Sequence, residues 1–152
     1  MDYMDWRGDL SFEADEFNEV DNLILAQLAY VDFEGIVTAE ENASAVPLKE
    51  TSGQFWEKND KDEILAQVSM TKSAPFVMEK MAETIRFSDV KVRCYVNEFR
   101  VEEQFQFSAV CVELPDDSLY VAFRGTDNTI TGWRVDFNMG YLSETPGQLR
   151  AV

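Results

Sequence analysis

The fold is decided by residues 104–123, which read QFQFSAVCVELPDDSLYVAF. Two apolar runs flank the four residues Pro115-Asp116-Asp117-Ser118, whose composition is typical of a tight turn. The first run predicts a strand over 104–114, and the second predicts a short strand over 119–123. Because so short a connection leaves no room for a crossover, we expect the two strands to pair antiparallel.

The residues before this hairpin continue the strand pattern. From Val90 onward, apolar and polar or larger side chains alternate as they do in a half-buried strand. On one side of this predicted strand lie Val92, Cys94 and Val96, and on the other lie Lys91, Arg93 and Tyr95.

The first part of the chain has helical periodicity. Capping residues and apolar spacing predict helices at about 18–30, 47–58, 60–70 and 73–87, with a loop over 33–46. Asn18 is the expected N-cap of the first helix. Its expected buried face consists of Val20, Leu23, Ile24 and Leu28. The sequence therefore predicts a single α/β domain, with residues 1–87 mainly helical and residues 88–152 rich in strands.

Charge and composition exclude several classes of protein. The 152 residues include 29 acidic and 13 basic side chains and no histidine, for a net charge of −16. A polyanion repels phosphate backbones, so we expect no nucleic-acid partner. Without histidine, the chain alone has no Ser-His-Asp or Cys-His catalysis. It also has no glycine-rich phosphate loop and no calcium-loop spacing, so we expect no cofactor and no metal.

The two cysteines suggest a reduced, cytoplasmic compartment. Cys94 and Cys111 both lie in predicted strands and do not form a C-x-x-C pair. We expect them to be small buried hydrophobic residues, with a cross-strand disulfide as the alternative. The acidic N-terminal stretch does not resemble a signal peptide, and no run approaches the roughly 18 apolar residues of a membrane-spanning helix.

The candidate chemistry lies where the last predicted strand ends. The sequence Phe123-Arg124-Gly125-Thr126-Asp127 presents backbone amides at the carboxyl end of a strand, where open α/β sheets usually place their sites. Gly125 permits a turn and the close approach of a substrate oxygen. In a simpler interpretation, Thr126 and Asp127 cap a turn, and Arg124 pairs with one of the many acids.

The segment YVAFRGT at 120–126, followed by Trp133 and Asp136, resembles the oxyanion segment of class 3 (fungal-type) lipases. With the opening WRGDLSF at 6–12, the chain is still more similar to a bacterial lipase-like family of unknown function in the α/β-hydrolase superfamily. This resemblance implies a neutral acyl ester as substrate. It implies that Thr126 is the oxyanion-hole residue and that Asp136 is the supporting carboxylate that holds the Thr126 hydroxyl. Trp133 matches a tryptophan near the lid of those enzymes.

The resemblance also implies an incomplete α/β-hydrolase-like domain. A nucleophile elbow needs Gly-x-Ser-x-Gly, and no two of the seven glycines have that spacing. The expected function is therefore that of the truncated N-terminal part of a serine hydrolase, inactive alone. The missing C-terminal half of the domain would be its partner, or a second copy bound through an exposed sheet edge. The alternative is a non-catalytic interaction module, derived from a degenerate hydrolase domain, whose sheet edge and acidic surface recruit a partner.

Overall fold

The computed structural model describes residues 2–40, 42–69, 71–100, 102, 105–125, 140 and 142–151. The helices are α1 (Asp2–Arg7), α2 (Glu19–Ala26) with a 3-10 turn after it (Gln27–Tyr30), α3 (Leu48–Lys58), α4 (Lys61–Ala66), α5 (Ala74–Ala82) and α6 (Pro146–Arg150). The strands are β1 (Val46–Pro47), β2 (Lys91–Arg100), β3 (Phe105–Glu113) and β4 (Leu119–Phe123). They form one antiparallel sheet in the order β1-β2-β3-β4. The mixed α/β class is confirmed.

The predicted hairpin is present as the turn residues require. β3 and β4 pair antiparallel with Val110 opposite Ala122, and β4 has the predicted bounds. In the turn, the Leu114 N–H donates to the Ser118 carbonyl at 2.9 Å. Asp117 has a φ of 64°, a left-handed conformation that Asp tolerates better than most residues.

The core lies between the helices and one face of the sheet, the inner face. Val92, Val110 and Val112 point inward from the strands and are fully buried. The helices and loops that cover this face contribute Leu25, Leu28, Leu48, Met78, Met81 and Phe87, all without measurable exposure. The methionines of α5 are therefore core residues, which their flexible side chains suit.

Helix α2 begins as predicted, but only half of its predicted face is covered. The Asn18 side chain accepts hydrogen bonds from the backbone amides of Val20 and Asp21, which confirms it as the N-cap. Leu28 is buried and Ile24 packs against the core as expected, whereas Val20 and Leu23 are exposed. The prediction used apolar spacing alone and missed the buried carboxylate of Asp21, which turns the helix away from these two positions.

That carboxylate belongs to an ion pair between Asp21 and Arg86, both almost fully buried. Arg86 Nε donates to Asp21 Oδ1 at 2.7 Å and Nη2 donates to Oδ2. The same guanidinium donates to the backbone carbonyls of Asp15 and Glu16. The hydrogen bonds that Arg86 donates to Asp21 raise the pKa of Arg86 further above its ordinary value. This pair joins the N-terminal loop, α2 and the segment before β2.

The later helices are shorter than predicted. The helix expected over 60–70 ends at Ala66, and the one expected over 73–87 ends at Ala82. Val68 and Ile85, two apolar positions used to extend them, are exposed. Helix α1 and the two-residue strand β1 were not predicted because elements so short carry no readable period. Among the residues described, no helix is both long and apolar enough to cross a membrane.

Strand β2 contains a β-bulge that the alternating pattern does not show. The pairing passes from Arg93 opposite Cys111 to Val96 opposite Ala109, so β2 carries one extra residue. Cys94 lies at this point with a φ of 51°. The bulge turns Tyr95 inward, where it is buried against Phe33.

Candidate functional site

The candidate site is the open edge of β4 together with the polar residues at its carboxyl end. β4 pairs with β3 on one side, and no other strand of the described residues pairs with its second side. Leu119, Val121 and Phe123 point away from the core and are 55%, 42% and 54% exposed. The Phe123 ring lies 6.1 Å from the ring of Phe107 on β3. We call Leu119, Val121 and Phe123 the β4 stripe.

The inner side of β4 is held firmly to the helices. Ala122 is buried in the core. The Tyr120 hydroxyl donates to Asn22 of α2, at 2.8 Å to Oδ1 and 3.1 Å to the carbonyl. Burial raises the Tyr120 pKa, so the phenol stays neutral and keeps its proton for this contact. The strand is therefore fixed before any partner binds.

Arg124 continues the pairing just beyond β4. Its backbone N–H donates to the Ser108 carbonyl at 2.9 Å, and its Nη2 donates to Asn97 Oδ1 at 3.0 Å. Among the described residues, the Arg124 side chain pairs with this neutral amide and not with the acid expected from the sequence. Arg124 Nε is buried and has no hydrogen-bond partner among the described residues.

Gly125 meets a tyrosine where the chain leaves the sheet. A Cβ at this position would lie 3.0 Å from the Tyr30 hydroxyl, closer than almost all real Cβ contacts. A side chain here would displace the Tyr30 hydroxyl by a few tenths of an ångström, so glycine suits the close packing against the 3-10 turn. The sequence singled out Gly125 for approach to a substrate, whereas the described contact is made within the protein.

A buried tyrosine lies below the end of β4. The Tyr95 hydroxyl donates to Asp32 Oδ1 at 3.2 Å. Burial, and then the negative charge of Asp32, raise the pKa of Tyr95 to about 12, while the Arg124 charge acts in the opposite direction. Tyr95 is therefore a neutral donor near neutral pH. The sequence offered no signal for this group, because the bulge that turns Tyr95 inward is not visible in the pattern.

The residues proposed for the oxyanion site lie outside the described part of the chain. This applies to Thr126, Trp133 and Asp136. Their geometry therefore stays a prediction. The structure describes the chain up to Gly125, and it places Arg124 and Gly125 at the end of an antiparallel edge strand.

A separate cleft of about 690 Å³ opens between the N-terminal loop and the β3–β4 turn. Its lining combines the aromatic rings of Phe12 and Phe17 with acidic side chains that include Glu13, Glu16 and Asp116. Within the described ranges, no group of three or more His, Cys, Asp or Glu residues is placed to hold a metal ion.

The fold and this edge define a mixed α/β protein whose antiparallel sheet ends in a strand with an exposed apolar stripe. Over residues 81–152, somewhat less than half of the chain, the sequence is similar to the family described as Mbeg1-like. That range includes β2, β3, β4 and α6. No curated protein and no solved structure matches the chain.

This similarity corrects the family expected from the sequence. The resemblance to lipases and to the α/β-hydrolase superfamily is wrong, since the matching family is Mbeg1-like and no lipase or α/β-hydrolase family matches. The motif that suggested it is short. Close packing against the Tyr30 hydroxyl accounts for Gly125 without an oxyanion site. The expected membership of a hydrolase or lipase family is therefore wrong as well.

Proposed function

We propose that the chain is a non-catalytic interaction module whose β4 edge pairs with the β4 edge of a second copy. The observation that carries this proposal is the β4 stripe, three large apolar side chains on an edge strand that is fixed to the core on its other face. An exposed edge with free backbone donors and acceptors is a template for another strand. The chain lacks histidine, the side chain that most often performs general acid–base catalysis.

The sequence of β4 is complementary to itself. In an antiparallel pair related by a two-fold axis at Val121, Leu119 of one copy faces the partner's Phe123. Such apolar cross-strand pairs contribute about 0.2–1 kcal/mol each. Two valines meet at the centre, where β-branched side chains pack well on a pleated surface.

The charges at the two ends of β4 also favour a second copy as the occupant. The acidic residues Asp116 and Asp117 precede the strand, and Arg124 follows it. In the antiparallel pair, the acidic end of each copy lies beside the arginine end of the other. A parallel arrangement would place like charges together, so this distribution favours a single direction of pairing.

Substitution of the central residue tests the proposal. We expect Val121→Lys to abolish the dimer, because it places two like charges opposite each other at the two-fold axis. The matched control is Leu23→Lys, which adds the same charge at an exposed position of α2. Sedimentation velocity over a concentration series measures the association, and circular dichroism checks that each variant is folded.

The expected result is a dimer for the unmodified chain and for Leu23→Lys, and a folded monomer for Val121→Lys. If the unmodified chain stays monomeric at every concentration, the proposal is contradicted. So does a folded Val121→Lys variant that dimerises as strongly as the unmodified chain.

A further inference from the structure

Two free thiols lie on neighbouring strands at the β2 bulge. Cys94 and Cys111 are both half-buried and neither is in a disulfide. Cys111 is paired directly with Arg93, the residue before Cys94. The Cys94 thiol lies close enough to Cys111 to help raise the pKa of the Cys111 thiol. In a regular strand, Cys94 would face the side of the sheet opposite to Arg93 and Cys111, and the bulge interrupts this alternation at Cys94.

The backbone conformation of Cys94 explains this approach. Its φ of 51° is in the left-handed region, which non-glycine residues seldom adopt. Neighbouring antiparallel strands have Cα separations of about 4.5–5.5 Å at directly opposed residues, within the range of roughly 4.4–6.8 Å that disulfides span. A turned residue next to such a pair can direct its sulfur toward the facing strand.

The surroundings give the two thiols different properties. The Arg93 guanidinium contacts Cys94 and also donates to Glu113 Oε1 at 2.9 Å. Burial, and then the neighbouring Cys94, raise the pKa of Cys111, so this thiol keeps its proton more tightly. The thiolate is the nucleophilic form, so Cys111 is suited to react second.

We propose that Cys94 and Cys111 are a redox-active pair, which low-molecular-weight disulfides such as oxidised glutathione convert reversibly into a cross-strand disulfide. The Cys94 thiolate attacks one sulfur of oxidised glutathione, forms a mixed disulfide and releases one glutathione thiolate. Cys111 then loses its proton to solvent and attacks the Cys94 sulfur, which releases the second glutathione. The protein loses two electrons and two protons, and one oxidised glutathione becomes two reduced molecules.

The disulfide would join β2 to β3 at the point where their pairing is interrupted. The bulge leaves one residue of β2 without a regular partner, so a covalent bond there replaces missing ladder contacts. This role is independent of pairing at the β4 edge, because it lies within one chain.

Intact-mass measurement and thiol counting on the full chain test this inference. After incubation with oxidised glutathione, we expect both thiols to disappear together, with a mass loss of two hydrogens and no retained glutathione. Peptide mapping without reductant should join the peptides of Cys94 and Cys111, and a dithiol reductant should restore both thiols. In Cys111→Ser, the glutathione adduct on Cys94 should persist because no second thiol displaces it.

Other products would overturn the inference. A chain that accumulates glutathione on both cysteines, or that forms disulfide-linked dimers in place of the internal bond, excludes the proposed pair. Complete resistance of both thiols to oxidised glutathione has the same consequence. These readings come from the unmodified protein, so they do not depend on the folding of any variant.

Discussion

At the scale of single residues, the buried Arg86–Asp21 pair determines which side of α2 faces the core. The guanidinium uses both oxygens of Asp21 and the carbonyls of the N-terminal loop, so its donors are satisfied away from water. A buried charge is tolerated when it is paired and hydrogen-bonded in this way. The sequence did not predict the burial of Asp21, because a contact with a residue 65 positions away leaves no local signal.

The first prediction at this scale concerns the loss of one charge. We expect Asp21→Asn to lower the free energy of unfolding by about 3–5 kcal/mol, because it leaves the Arg86 charge buried without its counterion. The control is Asp15→Asn, whose carboxylate lies 3.5 Å from the same guanidinium but is partly exposed. Asp15→Asn should lower the free energy of unfolding by less than about 1 kcal/mol. Urea unfolding measures both, and equal losses would contradict the assignment.

Tyr95 gives a prediction about pH. Its pKa is raised from 10.0 to about 12 in the folded protein, mainly by burial. The folded state therefore holds the proton more tightly than the unfolded state, so this contribution to stability is complete below pH 10. It should be lost as the pH rises from 10 through about 12.

Comparison with Tyr95→Phe isolates this effect. The difference in unfolding free energy between the two proteins should be constant from neutral pH to about 10 and should change above it, while other titrating groups cancel. Ultraviolet titration should show one fewer late-ionising phenol in the variant. An unchanged titration curve at high pH would show that Tyr95 is not the perturbed group.

At the scale of elements, the sequence predicted the structures that are determined by neighbouring residues. The β3–β4 hairpin was predicted with the bounds of β4 correct because a four-residue turn fixes its own partners. The β4 stripe was harder to predict. Its strand reads Leu-Tyr-Val-Ala-Phe, so every position is apolar or aromatic and the pattern does not show which face is covered. Helices cover the side of Tyr120 and Ala122, which only the packing of α2 against the sheet determines.

The bulge of β2 is a second feature at this scale that the sequence did not predict. Cys94 was assigned to the regular alternation, and the extra residue appears only from the pairing with β3. The position of both thiols and the burial of Tyr95 depend on that one irregularity. Sequence reasoning kept a cross-strand disulfide as an alternative, but it had no means of knowing that the two strands bring these cysteines together.

At the scale of the whole molecule, net charge opposes the proposed dimer. Two copies with a charge of −16 each repel one another at long range, whereas the β4 stripe attracts only on contact. Salt screens the first effect, with a Debye length of about 10 Å at 0.1 M, and barely weakens the second. The stability of the dimer, which depends on the balance of repulsion and attraction, therefore depends on ionic strength.

The last prediction follows from this balance. We expect the dissociation constant of the dimer to fall as sodium chloride is raised, because screening removes repulsion while apolar contacts and backbone hydrogen bonds remain. Sedimentation velocity at low and high salt measures the change, with Val121→Lys as a control that stays monomeric throughout. The opposite dependence, a dimer that dissociates in salt, would assign the attraction to the Asp116, Asp117 and Arg124 ends. The apolar centre of β4 would then contribute little, and the β4 stripe would not be the contact that drives dimerisation.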